Sequence, residues 1–580
     1  MTGGLYRSAH AAEDPSTGPS DGATLISRDQ QVPGAAVAEE QALPPEEPER
    51  STTGQSAIMA VGSLVSRLIG FVRNMLIGMT LGNVIGNAYT SAQLLPSQIY
   101  ELLLGGILSS VLIPLLVRRR KADADGGVAY TRKLLTFAMV CLGAATVLVV
   151  LAAPLVTALQ SGNSDGDYNG LVTSLAYLML PIIFFTGLSA LIGAVLNVNG
   201  HFAAPMWAPI LNNLVVIAAC GIFVVSFGTA RGLDPGDVST GRILLIGGGT
   251  LLGMVVQAVG LLPALRRVGF SWKWHWDPRG LGLREVGQLA GWMLLYVAAN
   301  QVAVTVVANL LNRTGRDDAG LLVFNNVYLL TMMAHGIIGV SVMTALLPRM
   351  SAAAADGRFA DVSADLTRGI RLTATALAPI AVVYGVLGTP IAVTLFQGGA
   401  YTHDMSVATG EVLVVAAFAV LPLSVSYLCT YAFYALKGNR TVALINVPVV
   451  ALRVGGYVLL FAVLSGSLAA AGMTAANAIS YVVSALVSLA VLRRRIGRLN
   501  LGSVAVALLK VAAAAAIAGV LGWLAVRLLP GGATPGRAEA LLHLVVGGAV
   551  IMVAYLAAAT VLRVREVSQV VGTVRRKVGR

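Results

Sequence analysis

From about residue 56 onward the chain is a succession of long apolar stretches broken by short polar segments. A bilayer core about 30 Å thick takes roughly 20 apolar residues per helix. Stretches of that length lie near 56–79, 88–117, 130–160, 169–198, 204–227, 241–265 and 285–312. They continue near 320–347, 366–396, 406–436, 441–464, 469–492, 502–529 and 537–562. The pattern predicts an all-α polytopic membrane protein with about fourteen transmembrane helices. Residues 1–54 depart from it. That segment is rich in Pro, Glu, Ser, Gly and Ala, as in EEQALPPEEPERSTTG. It holds too little apolar surface to offset chain entropy, so a disordered cytoplasmic tail is expected there. It has no apolar core behind a basic start and does not read as a signal peptide.

Lys and Arg fall in alternate loops. Arg118, Arg119, Arg120 and Lys121 follow the second span, Arg266 and Arg267 the sixth, and Arg493, Arg494 and Arg495 the twelfth. The intervening loops, GNVIGN (82–87), SGNSDGDYN (161–169) and QGGAYTHD (397–404), are poor in basic residues. Basic loops stay cytoplasmic, so both termini are expected inside a multi-pass plasma-membrane protein, with a basic cytoplasmic tail over 564–580. The net charge of +13 is then mostly topology, and a nucleic-acid partner need not be invoked. The mixed aromatic and basic run FSWKWHW (270–276) reads as an interfacial anchor on the same side. Composition agrees. Charged residues are 12% and hydrophobic residues 56%, where a soluble domain carries about 25% charged. This excludes an ordinary cytosolic enzyme.

Motifs for chemistry are missing. The three cysteines, Cys141, Cys220 and Cys429, each sit in an apolar run with no CxxC pattern, so neither a disulfide framework nor a metal site is indicated. There is no HExxH pattern and no Walker A loop. No cofactor and no catalytic residue is expected, and energy for transport must come from an ion gradient, the membrane potential or the cargo's own gradient.

Two motifs recur. GGILSSVLIP carries Gly105 and Pro114, and GVSVMTALLP carries Gly339 and Pro348; equivalent residues stand 234 apart. Gly200 in NGHF and Gly438 in KGNR stand 238 apart. An offset of about six spans predicts parallel repeats. The expected organisation is a six-helix lobe over 55–268, a second over 269–500, and two extra helices over 501–563. Bilobed bundles of this kind move a solute through the cleft between lobes by alternating access.

Ionisable residues at bilayer depth usually face a cavity or a partner. The first span holds Ser66, Arg67, Gly70, Phe71 and Arg73; Glu101 lies in the second span and Arg453 in the eleventh. Lys510 is close enough to a span end to reach the interface. An ideal helix sets Arg67 and Arg73 about 120° apart, and a bend near Gly70 is expected to turn both toward one cavity. Guanidinium groups remain charged at any relevant pH and match phosphate oxygens, so a cationic lining for a diphosphate is the functional reading. Carboxamides including Asn300, Gln301, Asn325 and Asn326 are further candidates, either for ligand contact or for joining helices.

The stretch SLVSRLIGFVRNMLIG…NAYTSAQLLPSQIYELLLGGILSSVLIPLL (63–116) resembles the N-terminal signature of the MurJ/MviN-type lipid II flippases. LSALIGAVLNVNGHFAAPMWAPILNN (188–213) and GIIGVSVMTALLP (336–348) are similar to the same family. The resemblance implies the fold of the multidrug/oligosaccharidyl-lipid/polysaccharide exporter superfamily. It also implies movement of lipid II, the lipid-linked peptidoglycan precursor, from inner to outer leaflet, with cell-wall synthesis machinery as a candidate partner. It further implies a groove along the last two helices for the lipid tail. The family's two first-span arginines match Arg67 and Arg73. Its acidic residue at the start of the second span falls on Asn87, and an arginine later in that span falls at Tyr100 or Glu101. Its eighth-span arginine falls near Leu329. Two of four cavity arginines are thus kept, Glu101 reverses one sign, and Arg453 is the candidate compensating charge. Substrate contact is therefore expected at Ser66, Arg67, Arg73, Asn87, Glu101 and Arg453, and hinge or packing roles at Gly70, Gly105, Pro114, Gly339 and Pro348. Rival readings are a flippase for another polyprenyl-pyrophosphate-linked oligosaccharide, a multidrug antiporter, and a non-transporting cell-wall scaffold.

Overall fold

The computed structural model describes residues 52–105, 113–162, 165–281, 283–315, 318–497, 499–532 and 534–567. Most of the expected N-terminal tail, the basic end beyond residue 567 and residues 106–112 of the first Gly/Pro motif lie outside the described residues.

The described residues are helical apart from the segments that connect the helices. The helices are α1 (Thr52–Tyr100), α2 (Ile113–Ala122), α3 (Val128–Leu151), α4 (Ala153–Ser161), α5 (Gly166–Met179) and α6 (Ile182–Val198). Then come α7 (Ala203–Phe227), α8 (Thr240–Gly260), α9 (Leu262–Arg267), α10 (Leu283–Leu311), α11 (Leu321–Ala334) and α12 (Val340–Ala355). The last are α13 (Phe359–Phe396), α14 (His403–Ala435), α15 (Asn439–Val463), α16 (Ala469–Ile496), α17 (Leu501–Arg527) and α18 (Arg537–Val561). Among the described residues, 13 segments are long and apolar enough to cross a bilayer. Their outer faces are apolar: Leu151, Val225 and Val463 are 76%, 88% and 72% exposed, a surface that only lipid would cover.

The first of these segments, Val61–Leu103, has 43 residues. At 1.5 Å per residue it would run about 65 Å, twice the bilayer core, so it supplies two of the fourteen expected crossings. The division falls at Gly82, whose φ of 69° and ψ of −156° break α1. The carbonyls freed just before the break are taken up elsewhere. Ala400 N–H donates to the Met79 carbonyl (2.7 Å) and Ala230 N–H to that of Thr80 (2.8 Å). The remainder of the expected loop 82–87 is helix. There Asn87 Nδ2 donates to Asn83 Oδ1 at 3.1 Å, an i, i+4 pair that suits a helix.

α1 presents two apolar stripes of helical period. Ile77, Leu81, Ile85 and Tyr89 are buried in a cluster that extends to Leu281. Phe71, Met75 and Met79 pack instead against a cluster running from Ala303 to Val567. A further buried cluster extends from Met343 to Val504. α1 is thus a wall shared by an early and a late group of helices. In the late group α13 packs on α14, α17 and α18, α14 on α16, and α10 on α15; in the early group α7 packs on α8.

The repeated motifs share a local distortion. A π-helical turn at Glu101–Gly105 follows α1, and another at His335–Gly339 joins α11 to α12. They are offset by the same 234 residues as the Gly/Pro pairs. Pro114 is the second residue of α2, where a helix tolerates proline, and Pro348 lies inside α12. Gly339 has a packing reason. A Cβ there would stand 2.7 Å from His335 Nδ1 and 3.4 Å from Ser424 Oγ. The FSWKWHW strap lies along α3: Arg132 Nε donates to the Ser271 carbonyl at 2.9 Å, and the rings of Phe137 and Trp276 are 6.0 Å apart.

Gly82 is the most constrained point of the wall, because its backbone conformation favours glycine and a Cβ would stand 3.0 Å from the Ala400 carbonyl oxygen. Gly82→Ala is expected to destabilise the fold by about 1–3 kcal/mol, read as a lowered unfolding temperature of the purified protein in detergent.

Candidate substrate cavity

Carboxamides join the early and late helix groups at one end of the bundle. Asn312, just beyond α10, donates from Nδ2 to Ser91 Oγ (2.8 Å) and to the Gln160 carbonyl (3.1 Å), and its Oδ1 accepts from Tyr168 Oη (2.9 Å). Asn309 Nδ2 donates to the Leu159 carbonyl at 2.9 Å, and Asn83 Nδ2 to that of Asp318 at 3.0 Å. Asn87 Oδ1 accepts from Leu322 N–H at 2.7 Å, capping the first turn of α11. Among the described residues no comparable set joins the two groups at the opposite end.

Away from this clasp a cavity of about 450 Å³ opens among α10, α11, α14, α15 and α16, with Leu94 of α1 and Glu101 of the first π turn at its edge. Its described guanidinium is Arg453 on α15. Nε donates to Ser480 Oγ at 2.9 Å, and Cζ lies 4.9 Å from the centre of the Tyr481 ring. No ion pair among the described residues involves Arg453. A guanidinium has five N–H donors, and among the described residues most of those of Arg453 are unengaged. Tyr296, Tyr328, Tyr427, Tyr457 and Tyr481 line the same space. Tyr457 Oη donates to Asn477 Oδ1 at 2.6 Å, which anchors one side of it.

The sequence-predicted residues divide between this cavity and the seam. Glu101 and Arg453 line the cavity; Arg67 and Arg73 do not. The expected bend at Gly70 is not found, since Gly82 is the non-helical residue inside α1. Gly70 instead makes room for α7: a Cβ there would stand 3.3 Å from Asn213 Nδ2, which also donates to the Ser66 carbonyl at 3.3 Å. Ser66 is therefore joined to the early group through its backbone. Because α1 runs helically through Gly70, its two arginines look in different directions. Arg67 is exposed and lies against Gly336 of the second π turn, where a Cβ would collide with its Nη1. Arg73 is half-buried on the other flank, in the neighbourhood of Tyr89 and Cys220. Its Nη2 donates to Asn74 Oδ1 at 3.3 Å, while its buried Nε has no partner among the described residues. Neither arginine is in an ion pair there. Asn87 is corrected from a cavity residue to a clasp residue, because both ends of its carboxamide are engaged by Asn83 and Leu322.

Sequence reasoning missed the tyrosines and His335. His335 Nδ1 is 2.9 Å from Ser424 Oγ and its ring centre is 4.8 Å from that of Tyr427, so the π turn reaches the cavity wall. A readable signal existed, since five tyrosines fall inside otherwise aliphatic spans.

Comparison with known proteins agrees with this architecture. The chain is 26% identical over 474 residues to the lipid II flippase MurJ of Burkholderia cenocepacia, covering 80% of this chain and 88% of that one. It is 24% identical over 489 residues to a probable lipid II flippase MurJ of Synechocystis sp., covering 82% and 87%. A solved lipid II flippase MurJ in an inward closed conformation superposes with a TM-score of 0.69 at 16% identity, over 87% of this chain and 99% of that one. An inward-facing multidrug resistance MATE family transporter of the MOP superfamily gives 0.59 at 16% identity, over 76% and 98%, a likeness of fold. The sequence profile described as lipid II flippase MurJ matches residues 77–535, and the chain belongs to that family.

Proposed function

We propose that this protein carries lipid II from the inner to the outer leaflet of a bacterial plasma membrane by alternating access. The observation that carries the reading is Arg453: a permanently charged group without a carboxylate partner among the described residues, on the wall of a cavity inside an apolar bundle. An arginine at bilayer depth costs about 2.5–3.5 kcal/mol or more, and a diphosphate passing through the cavity would offset it with charge-assisted hydrogen bonds. A cargo carrying another glycan on the same polyprenyl diphosphate satisfies the same chemistry. A transporter of cationic drugs would need a cavity ruled by carboxylates, and Glu101 is the one carboxylate lining this cavity among the described residues.

In this proposal two six-helix lobes, residues 55–268 and 269–500, rock against each other across α1, with 501–563 alongside. The carboxamide clasp is the outer gate and the cavity faces inward. Arg67 and Arg73, on opposite flanks of α1, meet the diphosphate as the lobes part. Both termini are cytoplasmic. Partners are the enzymes that complete the lipid-linked precursor on the inner side and polymerise it on the outer side.

Complementation of a flippase-depleted bacterium tests the reading. The wild-type chain is expected to restore growth, while Arg453→Ala and the double variant Arg67→Ala/Arg73→Ala accumulate in the membrane and fail. Normal exposure of lipid II at the outer leaflet in cells carrying only those variants would sink the proposed role of the arginines. Failure of the wild type to restore growth would remove lipid II as cargo.

Orientation has its own check. In a background lacking the three native cysteines, Asp165→Cys is expected to react with an impermeant thiol reagent applied to intact cells, and Asp123→Cys only after permeabilisation. The reverse pattern would invert the topology.

A further inference from the structure

The cavity carries a recognition surface besides its guanidinium. Tyr328 on α11, Tyr427 on α14 and Tyr481 on α16 line it. Tyr328 and Tyr427 stay 41% and 36% exposed inside the bundle. Among the described residues none of these three hydroxyls has a hydrogen-bond partner. The carboxamides divide into two kinds. Asn300 and Asn446 both donate to the Tyr296 carbonyl (2.8 and 3.3 Å), and Asn477 accepts from Tyr457, so these three are engaged by the protein. Gln301 on α10 and Asn325 on α11 line the cavity and bond to no other described residue.

Unengaged carboxamides next to open aromatic faces are matched by few ligands. A carboxamide offers two donors and an acceptor, which a diphosphate, being acceptor only, uses in part. An acyl chain uses none of it. A pyranose ring uses all of it, because its C–H face stacks on an aromatic ring while its hydroxyl and acetamido groups both donate and accept at the edge. The volume, about 450 Å³, lies in the range of small-molecule sites.

We propose that this wall holds the saccharide of the cargo's headgroup, with sugar rings on Tyr328 and Tyr427, polar edges on Gln301 and Asn325, and the adjoining phosphate at Arg453. The proposal rests on the transport reading and deepens it. These four side chains determine specificity for glycan-bearing over bare polyprenyl diphosphates.

Direct binding to the full-length protein in nanodiscs, followed by native mass spectrometry, tests this with three lipids. They are polyprenyl diphosphate, the same lipid bearing a single N-acetylglucosamine and no peptide, and lipid II. Tyr328→Leu/Tyr427→Leu and, separately, Gln301→Ala/Asn325→Ala are expected to weaken both sugar-bearing lipids about tenfold and the bare diphosphate less than about twofold. Tyr328→Phe, which keeps the ring face, is expected to bind like wild type. Equal loss for all three lipids, or no loss, overturns the proposal. Loss confined to lipid II overturns it in favour of peptide recognition. If one double variant does not fold, the other decides by the same comparison. A wild-type protein that binds none of the three lipids would instead overturn the transport reading, and this inference with it.

Discussion

Apolar helices gain little from leaving lipid for one another, because lipid tails are as apolar as leucine. What distinguishes one arrangement of such helices from another is where their few polar groups find partners. In this protein the carboxamides of Asn83, Asn87, Asn309 and Asn312 supply those partners across the seam, and they do so at one end of the bundle. Asn312 alone ties α1, α4 and α5 to the end of α10. Each of these groups would be left unsatisfied if the seam opened without water to replace it. The closed end is therefore held by bonds that water can take over one by one, which suits a gate better than a continuous apolar interface would.

The same logic explains the shape of α1. A helix that divides two groups needs two apolar stripes, and a residue at one stripe cannot serve the other. Phe71, Met75 and Met79 face one way, and Ile77, Leu81, Ile85 and Tyr89 the other. Arg67 and Arg73 inherit that division, one on each flank. The helix is interrupted at Gly82, where Ala230 and Ala400 of neighbouring segments donate to the freed carbonyls. That arrangement anchors α1 to both groups at the end of the bundle where the carboxamides meet.

Much of this was legible in the sequence, and the errors have a common cause. Span lengths gave the helical plan, because they follow from bilayer thickness, which acts on each stretch independently. The repeated Gly/Pro motifs located the two π turns without revealing them, since a π turn leaves composition unchanged. The direction of a side chain was harder to read. Arg67 and Arg73 were expected in one cavity through a bend at Gly70, yet that glycine exists to admit Asn213. Asn87 stood for a lost family charge but serves as a cap for α11. Such roles depend on a partner more than a hundred residues away, which no local pattern encodes. Arg453 was found because a lone charge in an apolar span demands a reason whatever its direction.

How Arg453 is accommodated explains why it remains usable. A carboxylate beside it would lower the cost of holding a cation at this depth, but a buried ion pair satisfies itself and leaves a ligand little to gain. Aromatic faces are a milder compensation. A cation over an aromatic ring gains about 0.5–2 kcal/mol, and the Tyr481 ring, 4.9 Å from the guanidinium carbon, is placed for it. Ser480 takes one N–H and orients the side chain. The charge is thus stabilised enough to stay folded inward and too little to be neutralised. In the proposed transport reading, an anionic headgroup entering the cavity would supply the difference, and would lose it again as the surrounding helices moved apart.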